Sequence, residues 1–175
     1  MVLDRLIQSA TNDAERAALL QEKGEVHHLT GDFAAARTAY EDSLRYDPNN
    51  WVTLNNLAYL LSDKLGENKA ALAYAQKAVA SVENPEALDT LGWIYVGLGE
   101  YSAAIAELGR AVRLDPNSPL LHYHLGEAYR RNGQMAEASD VLQGARNLAR
   151  AADSAEQAEL IERSIQRLQA GDTKP

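Results

Sequence analysis

Small residues recur along this chain with a fixed step. Gly24, Ala58, Gly92 and Gly126 stand 34 residues apart; Ala36, Ala71, Ala104 and Ala138 follow at 35, 33 and 34; Ser43, Ala78, Ala111 and Ala145 do the same. Self-similarity at such a period means that one supersecondary unit is stacked on copies of itself. A chain built this way buries its apolar faces between neighbouring units rather than around one centre.

The unit is clearest between Pro85 and Pro116. Leu88, Leu91, Gly92 and Tyr95 share one helical face, and Gly97 and Gly99 then break the pattern. Ala104, Leu108, Ala111 and Val112 form a second stripe at helical spacing, closed by Asp115-Pro116. Gly92, Ala104 and Ala111 fall where two helices of a hairpin cross closely. Larger side chains there would force the backbones apart, at about 1–3 kcal/mol each.

A helix–turn–helix repeated every 34 residues is the tetratricopeptide signature, and the chain resembles the tetratricopeptide repeat (TPR) family. The resemblance implies an all-α right-handed superhelix, an α-solenoid of four repeats over about residues 17–50, 51–84, 85–118 and 119–152. In the first repeat Lys23 and His27 replace the family's leucine and tyrosine, as suits a terminal repeat with one solvated face. In the second, the turn over 64–68 carries one extra residue, and the loss of one before Pro85 restores the period. In the fourth, Pro119 suits a helix N1 position and His122 replaces a large apolar residue.

The flanks read differently. Leu3, Leu6, Ile7 and Ala10 predict a short helix over 2–10, followed by an N-cap at Asn12 or Asp13. Residues 153–171 predict an amphipathic capping helix, with Ala155, Ala158, Ile161, Ile165 and Leu168 on its apolar face, a Ser154/Gln157 capping box and Gly171 at its end. Such a helix covers the last hydrophobic face of an open-ended array. Residues 172–175 read as a disordered tail.

Composition narrows the function. The formal net charge is -8, which argues against phosphate backbones as partner, since nucleic-acid binding needs clustered Lys and Arg. Cysteine is absent, so thiolate nucleophiles and thiolate-bound metals are excluded. His27, His28, His122 and His124 lack the i, i+4 spacing of a helical metal site. There is no phosphate-binding glycine loop and no nucleophile elbow. The expectation is therefore a non-enzyme with no cofactor and no metal. No apolar run is long enough to span a bilayer, and the N-terminus lacks a secretory signal pattern, so the chain reads as cytoplasmic.

In the TPR family the first helix of each repeat lines a concave groove. The resemblance places Gln21, Glu25 and His28, then Asn55, Tyr59 and Ser62, then Glu86, Asp89, Trp93 and Val96, then Leu120, Tyr123, Glu127 and Arg130 on that surface. Tyr59, Trp93 and Tyr123 would face a shared groove as aromatic anchors, with Asn55 and Asp89 hydrogen-bonding a peptide backbone and Glu127 and Arg130 beside them. The competing reading is that Tyr59 and Trp93 pack laterally as core. The carboxylate clamp of TPR co-chaperones would fall on Gln21, Glu25, Asn56, Glu86 and Thr90, where only Asn56 agrees. A basic, or neutral polar and apolar, ligand fits better. The strings LNNLAYLL, ALAYAQKAVA, NPEALDTLGWIY and LHYHLGEAY also resemble bacterial TPR proteins of exopolysaccharide export and exosortase-type sorting. Such proteins are longer and carry export signals, so the chain is either a piece of one, and then periplasmic, or a cytoplasmic relative. The expected function is a scaffold that binds a protein or peptide partner. The alternative is a self-assembling homo-oligomeric module of a cell-envelope complex.

Overall fold

The structure, a computed structural model, describes residues 2–171 and is all helical over them. The tail expected at 172–175 lies outside the described residues. The chain divides into two compact units, residues 1–83 and 84–175.

The first unit holds α1 (Val2–Ser9), α2 (Asp13–Leu29), α3 (Phe33–Tyr46), α4 (Trp51–Tyr59), a π-helical turn (Leu60–Lys64) and α5 (Asn68–Ser81). The second holds α6 (Pro85–Leu98), α7 (Tyr101–Leu114), α8 (Pro119–Arg131), α9 (Met135–Ala151) and α10 (Ala155–Gln169). Within the units α2 packs on α3, α4 on α5, α6 on α7, α8 on α9, and α10 on α9.

Local chemistry sets the helix starts. Asn12, Asp32, Asn50, Asn84 and Ser118 each accept a hydrogen bond from a backbone N–H of the first turn, satisfying donors that have no intrahelical partner. Pro85 and Pro119 occupy first-turn positions where a missing N–H costs nothing. The capping box expected at Ser154 is not formed: its side chain makes no cap hydrogen bond.

The small-residue columns sit at the crossings. A Cβ on Gly24 would come within 2.4 Å of the Tyr40 ring, one on Gly92 within 2.5 Å of Leu108, and one on Gly126 within 2.6 Å of Leu142. Each glycine thus makes room for one large side chain of its own hairpin. The second repeat solves the same crossing otherwise: the corresponding positions are Ala58 and Ala75, both fully buried. Ser43 replaces the alanine of its column without penalty, because its hydroxyl donates to the Ala17 carbonyl at 2.8 Å.

The extra residue of the second repeat is absorbed in the π turn. In the other hairpins the residue after the turn glycine bonds five residues back: Asp32 to His27, Glu100 to Tyr95, Gln134 to Tyr129. Here Glu67 reaches six back to Leu61, and Leu65 bonds to Leu60. The widened turn keeps Gly66 in the left-handed region (φ 69°) that Gly31, Gly99 and Gly133 occupy in the other turns.

Candidate functional site

Of the residues predicted to bind a partner, Asn55 and Tyr59 lie in the first unit and the others in the second. In the first unit the first-helix face is built by α2, α4 and the π turn. Tyr59 is 41% exposed and Leu29, at the end of α2, is 88% exposed. His28 stacks on Tyr59 with ring centroids 5.8 Å apart and meets the edge of Phe33 at 5.9 Å. Burial, aided by the Lys64 charge and opposed by Asp63, holds His28 below its ordinary pKa, so the imidazole is neutral at pH 7. Lys64 lies over the Tyr59 ring at 5.8 Å and is paired with Asp63 at 2.7 Å.

Beside the aromatic pair runs a polar ladder. Thr53 Oγ1 donates to Gln21 Oε1 (2.9 Å), Gln21 Nε2 to Glu25 Oε1 (3.1 Å), and Asn56 Nδ2 to the same Glu25 oxygen (3.3 Å). Glu25, His28, Leu29, Tyr40 and Asn56 line an open pocket of about 300 Å³. Asn55 is not on this surface. It is 3% exposed, turned into the packing of α4, and a peptide backbone cannot reach it.

In the second unit Asp89 Oδ1 sits 2.7 Å from His124 Nδ1, which places the imidazole proton between them. His124 stacks on Trp93 at 4.4 Å, and the Arg131 guanidinium lies 5.5 Å from the Trp93 ring centroid. Trp93 also packs against the buried cluster of Val96, Leu108 and Leu125, so it is part core and part surface. Tyr123 packs against Leu142, Ala149, Ile161 and Ile165, and α10 supplies the last two.

Glu127 and Arg130, expected on the groove, are buried instead. They are 1% and 0% exposed. Arg130 Nη2 and Nε donate to the two Glu127 oxygens at 2.9 and 3.1 Å, Arg131 approaches at 3.7 Å, and the Ser164 hydroxyl of α10 donates to Glu127 as well. Burial opposes ionisation of Glu127, but the hydrogen bonds from Arg130 and Ser164 and the two arginine charges outweigh it and lower its pKa. Through Ser164, α10 closes on Glu127, at an α8 position that the resemblance assigns to the groove.

The family resemblance placed Glu25 and His28 on the groove but did not point to the pocket they form with Tyr40. Tyr40 belongs to a second helix, and nothing in the spacing brings it to the first-helix face. The His124–Asp89 bond joins residues 35 apart; one repeat length plus one was the only signal available.

Comparison with known proteins agrees with the fold. Models of the tetratricopeptide repeat match residues 17–50, 39–73 and 92–133. The bovine BBSome complex member BBS4 is 28% identical over 133 residues, covering 76% of this chain and 26% of that protein, so the chain spans about a quarter of this relative's length. Among solved structures, a MamA RS-1 ArsTM double mutant superposes with a TM-score of 0.76 at 26% identity, over 87% of this chain and 84% of the other. PilW, a type IV pilus biogenesis factor, gives 0.73 at 19% identity over 94% and 81%. The first TPR of Spaghetti (RPAP3), solved with the HSP90 peptide SRMEEVD, gives 0.64 at 24% identity over 67% and 93%.

Proposed function

We propose that this chain, which carries tetratricopeptide repeats, is a protein-interaction scaffold that holds a peptide or a partner's helix on its first-helix faces. The observation that carries this reading is the surface of the first unit. There Leu29 and Tyr59 stay exposed beside a preformed cavity and an ordered row of polar groups. Exposed apolar anchors next to fixed polar groups are the anatomy of a binding hot spot. The RPAP3 structure, with its bound peptide, shows what the same fold accommodates elsewhere. The setting is cytoplasmic, or periplasmic where the chain is part of an exported protein. Affinity capture from source-cell lysate tests the reading, with wild type beside a Leu29→Ser/Tyr59→Ala variant shown to be folded by circular dichroism. A protein retained by wild type and lost by the variant supports it; an identical set on both overturns it.

Self-assembly is the second reading, and α1 favours it. The helix has no buried residue, exposes Val2 and Leu6, and is held by a Lys23–Asp4 pair at 2.7 Å and by Arg16 bonds to the Ile7 and Ala10 carbonyls. The resemblance to export-linked repeat proteins goes with this reading. Light scattering over a hundredfold range of concentration separates the two, since a constant monomer mass removes self-assembly.

A further inference from the structure

The cavity of the first unit has an uncommon lining. Its floor includes Tyr40, whose ring lies against Gly24 and whose residue is 1% exposed. No hydrogen bond engages the Tyr40 hydroxyl among the described residues, and the residue lines the cavity. Burial, and then the Glu25 charge, push its pKa up to about 12, so it remains a neutral phenol with an oxygen able to accept.

Glu25 forms one wall. Its Oε1 accepts from two neutral amides, Gln21 and Asn56, and its carboxylate has no cationic partner among the described residues. Neutral donors orient the carboxylate without cancelling its charge, and Oε2 carries no hydrogen bond among the described residues. The other wall is the neutral His28 ring, itself stacked on Tyr59, and the lip is the exposed Leu29. Lys64, which lies near His28 and Tyr59, is already paired with Asp63. At about 300 Å³ the cavity stands at the lower bound of small-molecule sites and has room for one long side chain.

From this charge complementarity we propose that the pocket of Glu25, Tyr40 and His28 receives an arginine side chain from an extended segment of a partner protein. The guanidinium pairs with Glu25 Oε2 and donates to the Tyr40 hydroxyl, its plane stacks on the imidazole, and its methylene stem lies along Leu29. A lysine satisfies Glu25 as a point charge but neither stacks nor forks, so the site prefers arginine. A carboxylate-terminated peptide is repelled by Glu25. The inference rests on the interaction-scaffold reading and names the chemistry of its ligand.

The test is selection of displayed random nonapeptides on wild type and on Glu25→Gln. Wild type should enrich peptides with arginine at one position next to an apolar residue, and Glu25→Gln should lose that enrichment. A selected peptide should bind Glu25→Gln about 10- to 100-fold more weakly, and Tyr40→Phe, with wild-type circular dichroism, severalfold more weakly. Replacing its arginine by lysine should also weaken it severalfold. Enriched peptides without a basic residue, or arginine peptides that bind Glu25→Gln as well as wild type, overturn this inference and leave the scaffold reading standing. If wild type enriches no peptide at all, this inference falls, and the lysate capture decides the scaffold reading separately.

Discussion

At the scale of single residues, the hairpin crossings are governed by paired volumes. Gly24 faces Tyr40, Gly92 faces Leu108 and Gly126 faces Leu142, each at a separation that leaves no room for a Cβ. Where the chain has Ala58 instead, the large partner is gone and Ala75 stands in its place. Gly92→Ala alone should therefore cost about 1–3 kcal/mol by overpacking, and Leu108→Ala alone about 2–5 kcal/mol by leaving a cavity. The double variant reproduces the Ala–Ala solution and should lose clearly less than the sum. Urea unfolding of the four proteins gives the cycle, and strict additivity would refute the pairing. The spacing made the glycines legible; their partners were not, because a period says which residue is small and not what fills the space.

At the scale of elements, α10 reassigns the chemistry of α8. Its Ser164 closes on Glu127, and its Ile161 and Ile165 cover Leu142, Ala145 and Ala149. Glu127→Ala would leave Arg130 buried without its carboxylate and should cost about 3–5 kcal/mol. The pH dependence follows from the sign of the shift. The folded-state pKa of Glu127 is lowered from an unfolded value near 4.5. Its contribution is therefore fully present above pH 4.5 and is lost as pH falls through the lowered value. Urea midpoints between pH 3 and pH 6 should fall less steeply in Glu127→Gln than in wild type. The π turn is the other element-scale device. Deleting Asp63 returns the second repeat to the turn length of the others and should leave a cooperative thermal transition, at a loss of about 0.5–3 kcal/mol. A non-cooperative melt would show that the wide turn is needed for more than spacing.

At the scale of the whole molecule, the charge of -8 bears on encounter rather than on fold. An acidic chain that takes an arginine-bearing segment should bind it with a rate that depends on ionic strength. Stopped-flow association of a selected peptide should slow by about tenfold or more between 20 and 500 mM salt, with a smaller change in dissociation. A salt-independent rate would mean that the carboxylates on this surface do not steer the ligand. Leu91→Ala, at a buried position of the second unit, should cost about 2–5 kcal/mol by calorimetry, since such a core has no slack to collapse into.

The sequence by itself determined the helices, the hairpins and the crossings, because these follow from a 3.6-residue periodicity, capping side chains and glycines that act over a few residues. It also exposed the one-residue slip near residue 65, since a fixed period makes a slip visible. Tertiary structure alone decided which first-helix positions stay on the surface. Leu29, His28 and Tyr59 remain accessible, whereas Asn55, Glu127 and Arg130 are packed away. Repeat position predicts a face, but burial depends on what else packs there, and Ser164 meets Glu127 across 37 residues at a spacing the period does not contain. For the same reason the Glu25–Tyr40 pocket appears only when a second-helix phenol, admitted by Gly24, is seen to reach the first-helix face.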